Sequence, residues 1–491
     1  MASSEGCCRE RALNSKPNCV DVAAVNLVLM GVLAYVALQL AVGLWVTRKN
    51  KTEEDYLLAG RSFGFGLATF SFFATWFGAE TCIGAAGKVY EKGLSGTASD
   101  PFGYGICLML MGLVFAAPLW RRKYVTLGDL FRERFSPNVE KLAVLLMVPT
   151  SLLWAAAQIR AFGQVLDASS GIGVTTGILI GAGVAIAYTA VGGLRADVMT
   201  DLVQGIAIII GLGVLGVVIV NATGGVAQTA AAIPTERLRL FGDVHWLETV
   251  EMWAVPIIGS ITAQELAARA LACRSPEIAR RAALAGGGLY VLIGLVPVLI
   301  GLLGPALMPG LKEPEQLLPL LAQKHLPTFL YILFAGALVS AILSTVDSTL
   351  LAASALVTHN LILPHRPTME ESAKLRFSKL GVVAAGVVAL GLAVSAESIY
   401  GLVQSASAFG SAGLFVAMGF GLFTGFGGAR SAAAALITGT GVWVFGTYVH
   451  EIPYVYLTSL ATALLAYVIT AAVEKRPATR NAEDASVKDA R

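Results

Sequence analysis

The sequence predicts an all-α polytopic membrane protein, and three observations carry that prediction. Of the 491 residues, 56% are hydrophobic and only 14% are charged, whereas a soluble domain carries about 25% charged residues. Mean hydropathy is +0.72. The apolar residues gather in runs of about 20, the length needed to cross the hydrocarbon core. Many of the 53 glycines fall inside those runs, as expected where small residues let transmembrane helices approach closely.

Thirteen spans can be read, at about 24–46, 65–88, 102–120, 141–167, 172–191, 198–220, 248–272, 284–308, 328–358, 378–395, 398–424, 431–448 and 452–473. Lys and Arg set their orientation. Of the 35, 25 fall in 47–62, 121–141, 192–197, 269–281, 359–379, 425–431 and 474–491. These are alternate connections, so the positive-inside rule predicts an outside N terminus and an inside C terminus. Residues 1–23 form the extracytoplasmic N terminus and lack the apolar core of a signal peptide, so 24–46 is retained as a first transmembrane helix. Cys7, Cys8 and Cys19 there are free to pair if they are extracytoplasmic. Cys82 and Cys107 sit in spans as small buried residues.

Setting aside 24–46 and the trailing pair of helices at 431–473 leaves ten spans, in two sets of five, 65–220 and 248–424. Five is odd, so the second set runs inverted relative to the first, a known transporter plan. The lead helices of the two sets echo each other faintly, with Phe77-Gly78-Ala79-Glu80 in one and Ile261-Thr262-Ala263-Gln264-Glu265 in the other. Both are interrupted by small residues at membrane depth, where a broken helix would expose carbonyls and dipole ends. Loop 121–140 is basic and predicts a short helix from Leu127 to Arg134. The cytoplasmic tail, 474–491, is charged, Ala-rich and reads as disordered.

The most informative segment is Ala341-Ile342-Leu343-Ser344-Thr345-Val346-Asp347-Ser348. Polar and ionisable groups at membrane depth are costly and mark substrate or ion paths. Hydroxyls and a carboxylate, with no His or Cys beside them, suit a hard cation that takes oxygen ligands. A cation-coupled transporter follows from this. The histidines show no ligand spacing, and no nucleophile–base pair, phosphate loop or metal motif appears. The sequence supports neither an enzyme nor a nucleic-acid partner. The partners it implies are a small organic solute, a cation and the lipid bilayer.

Three motifs carry a resemblance. Asp55-Tyr56-Leu57-Leu58-Ala59-Gly60-Arg61 precedes a span, Gly192-Gly193-Leu194-Arg195-Ala196 is followed by Thr200-Asp201-Leu202-Val203-Gln204, and Ser344-Thr345-Val346-Asp347-Ser348 comes third. Together, in this order over about residues 24–425, they resemble the sodium:solute symporter family. That resemblance implies a LeuT-like five-plus-five inverted repeat and sodium (Na+) as coupling ion. It implies a sodium site made by the carbonyls of Ala74, Phe77 and Ala341 with the hydroxyls of Ser344 and Thr345. The alternative for the two hydroxyls is bonding back to their own helix. A second cation site would add Asp201, Asp347 and Ser348; its alternative is a gate contact, for instance with Arg195.

Within the family, Ala74-Thr75-Trp76, Leu153-Trp154-Ala155-Ala156-Ala157 and Ile258-Gly259-Ser260-Ile261 leading to Arg269 resemble the choline-transporter branch. The likeness implies choline or a related quaternary ammonium as solute, held by Trp76 and Trp154, with dependence on chloride (Cl-). Aromatic faces attract such cations by about 0.5–2 kcal/mol each. Glu80 and Gln264, at the two breaks, would touch substrate or satisfy freed backbone groups. Two departures stand against choline itself. Ala263 takes the place of a further Trp of that branch. Arg160 lies on the same helix as Trp154 and would pair with Asp167 or Glu80, or hold chloride or a substrate carboxylate. A betaine-like zwitterion or a carboxylate stays open, as does a transporter-like sensor. The expected location is a plasma membrane, or the inner membrane of a bacterium.

Overall fold

The computed structural model describes residues 52–474 except 79 and 397, together with Met30, Gly31, Ala34, Ala37 and Ala41. The expectations for Cys7, Cys8 and Cys19, for most of the first span, and for all of the tail beyond Glu474 lie outside the described residues. Among the described residues the fold is all helical, apart from one isolated bridge between Phe63 and Cys273. Eight helical segments among the described residues are long and apolar enough to cross a membrane: Glu80–Arg121, Pro137–Asp167, Val174–Ala222, Pro276–Leu307, Thr328–His365, Glu371–Ser395, Ile399–Phe423 and Val455–Val473.

Of the other predicted spans, 65–88 and 248–272 are shortened by breaks that fall where the sequence puts small residues, while 431–448 is the unbroken helix Ala429–Tyr448. The 65–88 span is a helix from Phe65 to Ala74, a turn through Thr75–Gly78, a π-helical turn from Glu80 to Gly84, and a helix from Ala85 to Lys92. The 248–272 span is a helix from Trp246 to Ile258, a 3-10 turn from Gly259 to Thr262, an extended Ala263 and a helix from Gln264 to Leu271. The 398–424 span breaks at Phe409 and Gly410, and Gly410 takes a φ of 69°.

The predicted spans 172–191 and 198–220 are continuous as Val174–Ala222, kinked at Gly193. Straight, its 49 residues would run ~74 Å at 1.5 Å per residue, more than twice the hydrocarbon core. Gly193 makes the kink with φ 67° and ψ −179°, and a Cβ there would lie 2.5 Å from Tyr56 Cδ2 and 2.8 Å from the Tyr56 carbonyl oxygen. The Tyr56 hydroxyl donates to the Thr189 carbonyl at 2.9 Å, and Arg195 Nη2 donates to the Ala59 carbonyl at 2.9 Å. The two motifs at 55–61 and 192–196 are thus one contact. Gly193→Ala is expected to cost at least about 1–3 kcal/mol, from backbone strain together with the clash. Gly183→Ala has nothing within 4 Å of its Cβ and should be neutral or stabilising, because Gly costs about 1 kcal/mol in a helix interior. Thermal unfolding of the two variants in detergent compares them directly.

The bridge ties the start of one broken helix to the end of the other. Phe63 N–H donates to the Ala272 carbonyl at 3.1 Å, and Arg274 N–H donates to the Phe63 carbonyl at 3.0 Å. At the same end the predicted loop helix is present at Gly128–Arg134. His359 stands between Glu53 and Asp129, at 3.1 and 3.4 Å. Asn360 Nδ2 donates to Glu140 Oε1 at 2.8 Å and to Asp129 Oδ1 at 3.1 Å. Burial works to raise the Asp129 carboxyl, but hydrogen bonds from His359 and from the Thr126 and Val125 amides outweigh it and hold the group below its usual range. At the far end of the chain, Glu474 caps the Ala429–Tyr448 helix, accepting from the amides of Gly428, Arg430 and Ser431.

Candidate functional site

The first broken helix opens beside the Thr328–Ala355 helix. Thr75 Oγ1 donates to the Ser71 carbonyl at 2.6 Å, and the Gly78 amide turns back to the Trp76 carbonyl at 2.8 Å. That tight turn ends the ladder, so backbone oxygens between Ala74 and Phe77 are freed from regular helical pairing. Gly78 is needed for what faces it. A Cβ there would lie 3.0 Å from both Gln158 Oε1 and Thr345 Oγ1, and 3.4 Å from the Ala341 carbonyl oxygen. Three oxygens from two other helices therefore close on the break, and a buried cluster of neutral oxygens is the donor set a sodium ion takes. Of the five residues expected to form the sodium site, Ala341 and Thr345 meet the break, with Ala74 and Phe77 bracketing it. Thr345 Oγ1 is 3.3 Å from the Ala341 carbonyl. Ser344 Oγ donates instead to Asp201 Oδ1. Gln158 was not among the expected residues.

Ser344 leads into a second, charged cluster. Asp201, Asp347 and Ser348 were expected together, and the fold adds Asp197, Thr189 and Arg269. Arg269 is 1% exposed. Its Nη2 donates to Asp197 Oδ2 at 2.7 Å and to Ser348 Oγ, and reaches Asp201 Oδ2 at 3.4 Å. Its Nε lies 3.3 Å from Thr75 Oγ1, at the first break. Asp347 Oδ1 accepts from the Thr189 hydroxyl. Two buried carboxylates thus contact one guanidinium, and a third, Asp347, is held by Thr189 instead. Arg195 pairs with the Ala59 carbonyl rather than with Asp201. Asp197 was legible in principle: it lies four residues before Asp201, on the same helical face.

On the other side of the break lie three buried aromatic rings. Trp76 and Trp154 stack with centroids 5.9 Å apart and planes 11° from parallel. Tyr104 closes on both, at 5.5 and 5.6 Å. The third ring thus comes from Tyr104, in the 104–110 helix, and not from position 263, where Ala263 forms the extended link of the second broken helix. The Tyr104 hydroxyl meets Ser407 Oγ at 3.1 Å, and Ser260 Oγ donates to that same Ser407 oxygen at 3.0 Å. Trp76 Nε1 donates to Glu265 Oε1 at 3.4 Å. Each ring face is apolar, negative in quadrupole and shielded from water, which suits a desolvated organic cation.

The other expected contacts sit differently. Glu80 is buried at the start of the π-helical turn, and among the described residues its Oε2 has no hydrogen-bond partner. Gln264 Oε1 accepts from the Leu127 amide at 2.7 Å, so this side chain satisfies a backbone group of the loop. Arg160 Nη1 donates to the Ala393 carbonyl at 3.3 Å, while Asp167 accepts from the Gly173 amide at 2.9 Å. A buried carboxylate that sequence reading missed, Asp100, stands near the first break. Tyr290 links the two, donating to Asp100 Oδ2 at 2.8 Å and standing 3.5 Å from the Trp76 carbonyl.

A model of the sodium:solute symporter family matches residues 56–439. The chain belongs to that family. Among relatives of this symporter, the high-affinity choline transporter 1 of Drosophila melanogaster is 28% identical over 403 residues, 78% of this chain and 64% of that protein. The sodium/pantothenate symporter of Escherichia coli is 28% identical over 364 residues, 71% of this chain and 75% of that one. The chain therefore spans just under two thirds of the Drosophila relative's length. In fold, the symporter resembles a substrate-bound, outward-open Na+-coupled sialic acid symporter. The TM-score is 0.80 at 20% identity, over 92% of this chain and 98% of that one. It also resembles Mhp1, a nucleobase-cation-symport-1 family transporter, with a TM-score of 0.60 at 15% identity, over 86% and 94% of the two chains. The LeuT-like all-α fold is thus established, and membership of a sodium:solute symporter family makes this a membrane transporter and not an enzyme.

Proposed function

We propose that this symporter imports a small organic cation with sodium, choline or a related quaternary ammonium or betaine-like compound being the class that its aromatic box fits. The observation that carries this reading is the stacked pair Trp76 and Trp154, with Tyr104 across their edges, beside the oxygens that close on Gly78. Choline transporters among the relatives support it; pantothenate symporters among them keep a carboxylate solute as the second reading. In this account sodium binds between Ala74, Phe77, Ala341, Ser344 and Thr345, and Asp201, Asp347 and Ser348 serve a second cation. Sodium joins the broken helix to the 328–355 helix and so orders Trp76. Solute then enters between the rings, which must part, because stacked rings fill the space a cation would take. Arg160 would meet an anionic solute or chloride.

Two inverted sets of five helices, 65–220 and 248–424, follow a first helix at 24–46 and precede a pair at 431–473. The N terminus is outside, the C terminus inside, and the location a plasma or bacterial inner membrane.

The test is uptake of labelled choline by reconstituted protein, with and without an inward sodium gradient. Sodium-driven accumulation is expected. No choline uptake by vesicles that do accumulate pantothenate would move the solute to the carboxylates. Trp154→Ala should raise the KM for choline about tenfold, the loss of one cation–π face, and leave sodium dependence in place.

A further inference from the structure

Asp100 and Glu80 are not needed to explain sodium binding or the aromatic box, yet both are buried beside it. Each is 2% exposed. Asp100 Oδ2 accepts from the Thr81 hydroxyl at 2.9 Å and from the Tyr290 hydroxyl at 2.8 Å. Among the described residues, Asp100 Oδ1 and Glu80 Oε2 have no hydrogen-bond donor. Among the described residues neither carboxylate is in an ion pair. Lys88, further along the same helical stretch as Glu80, turns instead to Glu91 at 2.9 Å and over the Tyr400 ring. The pair is tied to the box at both ends: Tyr290 stands against the Trp76 carbonyl, and Tyr104 follows Asp100 by four residues on its own segment.

A buried carboxylate oxygen without a donor is costly, and a carboxylate offers about four lone-pair positions to fill. A quaternary ammonium supplies charge but no N–H, because its methyl groups shield the nitrogen. An ammonium that keeps N–H bonds supplies both. A site built to hydrogen-bond a substrate N–H discriminates by about 10⁴-fold against the analogue that lacks it, since its polar groups would be left unpaired.

We propose that Asp100 Oδ1 and Glu80 Oε2 receive the N–H groups of the solute, so that the preferred substrate is a protonated primary, secondary or tertiary amine and not a fixed quaternary ammonium. This rests on the organic-cation reading and narrows it. The aromatic rings take the organic body and the outer part of the charge, and the two carboxylates set which cations are accepted.

The experiment uses the full chain in proteoliposomes with an inward sodium gradient. Labelled ethanolamine and dimethylaminoethanol, which carry N–H, are compared with labelled choline, which does not. Both amines are expected to show at least about 100-fold higher kcat/KM than choline. Asp100→Asn should cut kcat/KM for the amines by at least about 100-fold while moving choline by less than about threefold. Glu80→Gln is the second variant, with the same expectation, in case Asp100→Asn fails to fold; a monodisperse peak and a cooperative thermal transition report folding. Choline transported as well as the amines by the unaltered protein would overturn the inference, as would equal losses for choline and amines in both variants. Uptake of none of the three cations, by vesicles that take up pantothenate, would sink the organic-cation reading itself.

Discussion

Replacing Ser344 and Thr345 together by alanine is expected to abolish sodium-dependent uptake. Thr345 Oγ1 is one of the three oxygens that close on Gly78, and Ser344 Oγ joins that helix to Asp201. Each interaction of a neutral donor or acceptor with a charged group is worth about 1.5–3 kcal/mol. Losing both removes about 3–6 kcal/mol, or at least 100-fold in sodium affinity. The folded state should survive, because the two positions accept alanine by volume and the remaining helix ladder is intact. Thr345→Ser keeps the hydroxyl and should retain most of the coupling. The readout is initial uptake rate against sodium concentration. An unchanged sodium dependence in the double variant contradicts the site.

Arg269→Gln should destabilise the protein more than any other single exchange named here. Arg269 is fully buried, and its guanidinium is the basic group that Asp197 and Asp201 contact directly. Breaking a buried ion pair by removing one partner costs about 3–5 kcal/mol, because the charge left behind is unpaired. Asp197→Asn combined with Arg269→Gln should recover part of that loss, since one of the orphaned charges is then gone. Thermal unfolding in nanodiscs gives both values. A double variant less stable than Arg269→Gln alone would show that the pair is not coupled in the way the geometry implies.

Much of this was legible before any coordinates. The spans showed as apolar runs, because every residue facing lipid must be apolar and about 20 of them fill the hydrocarbon. The breaks showed as small and polar residues at membrane depth, in Phe77-Gly78 and in Ile261-Thr262-Ala263. Ser344 and Thr345 were visible because a hydroxyl pair beside Asp347 has no packing purpose in lipid. What stayed hidden depended on which distant elements meet. Tyr104 reads as one more aromatic in an apolar run until the fold sets it against Trp76 and Trp154. Arg269 reads as an inside-facing positive charge until the second break carries it to Asp197. Gln264, read as either a substrate contact or a group that satisfies freed backbone, gives its carbonyl to the Leu127 amide, a partner that only tertiary packing supplies. Asp100 lies just outside the predicted 102–120 span, before a proline, where nothing in the sequence marks it as buried.

In the proposed mechanism sodium and solute share one joined site at the first break. Linkage makes that claim quantitative, because each ligand must change the affinity of the other by the same factor. The direct measurement is tryptophan fluorescence of the purified protein in nanodiscs, titrated with choline and with dimethylaminoethanol at zero and saturating sodium, and with sodium at zero and saturating amine. The account predicts that sodium tightens the better-bound cation at least tenfold and that the cation tightens sodium by an equal factor. Solute affinity that is the same with and without sodium would contradict it.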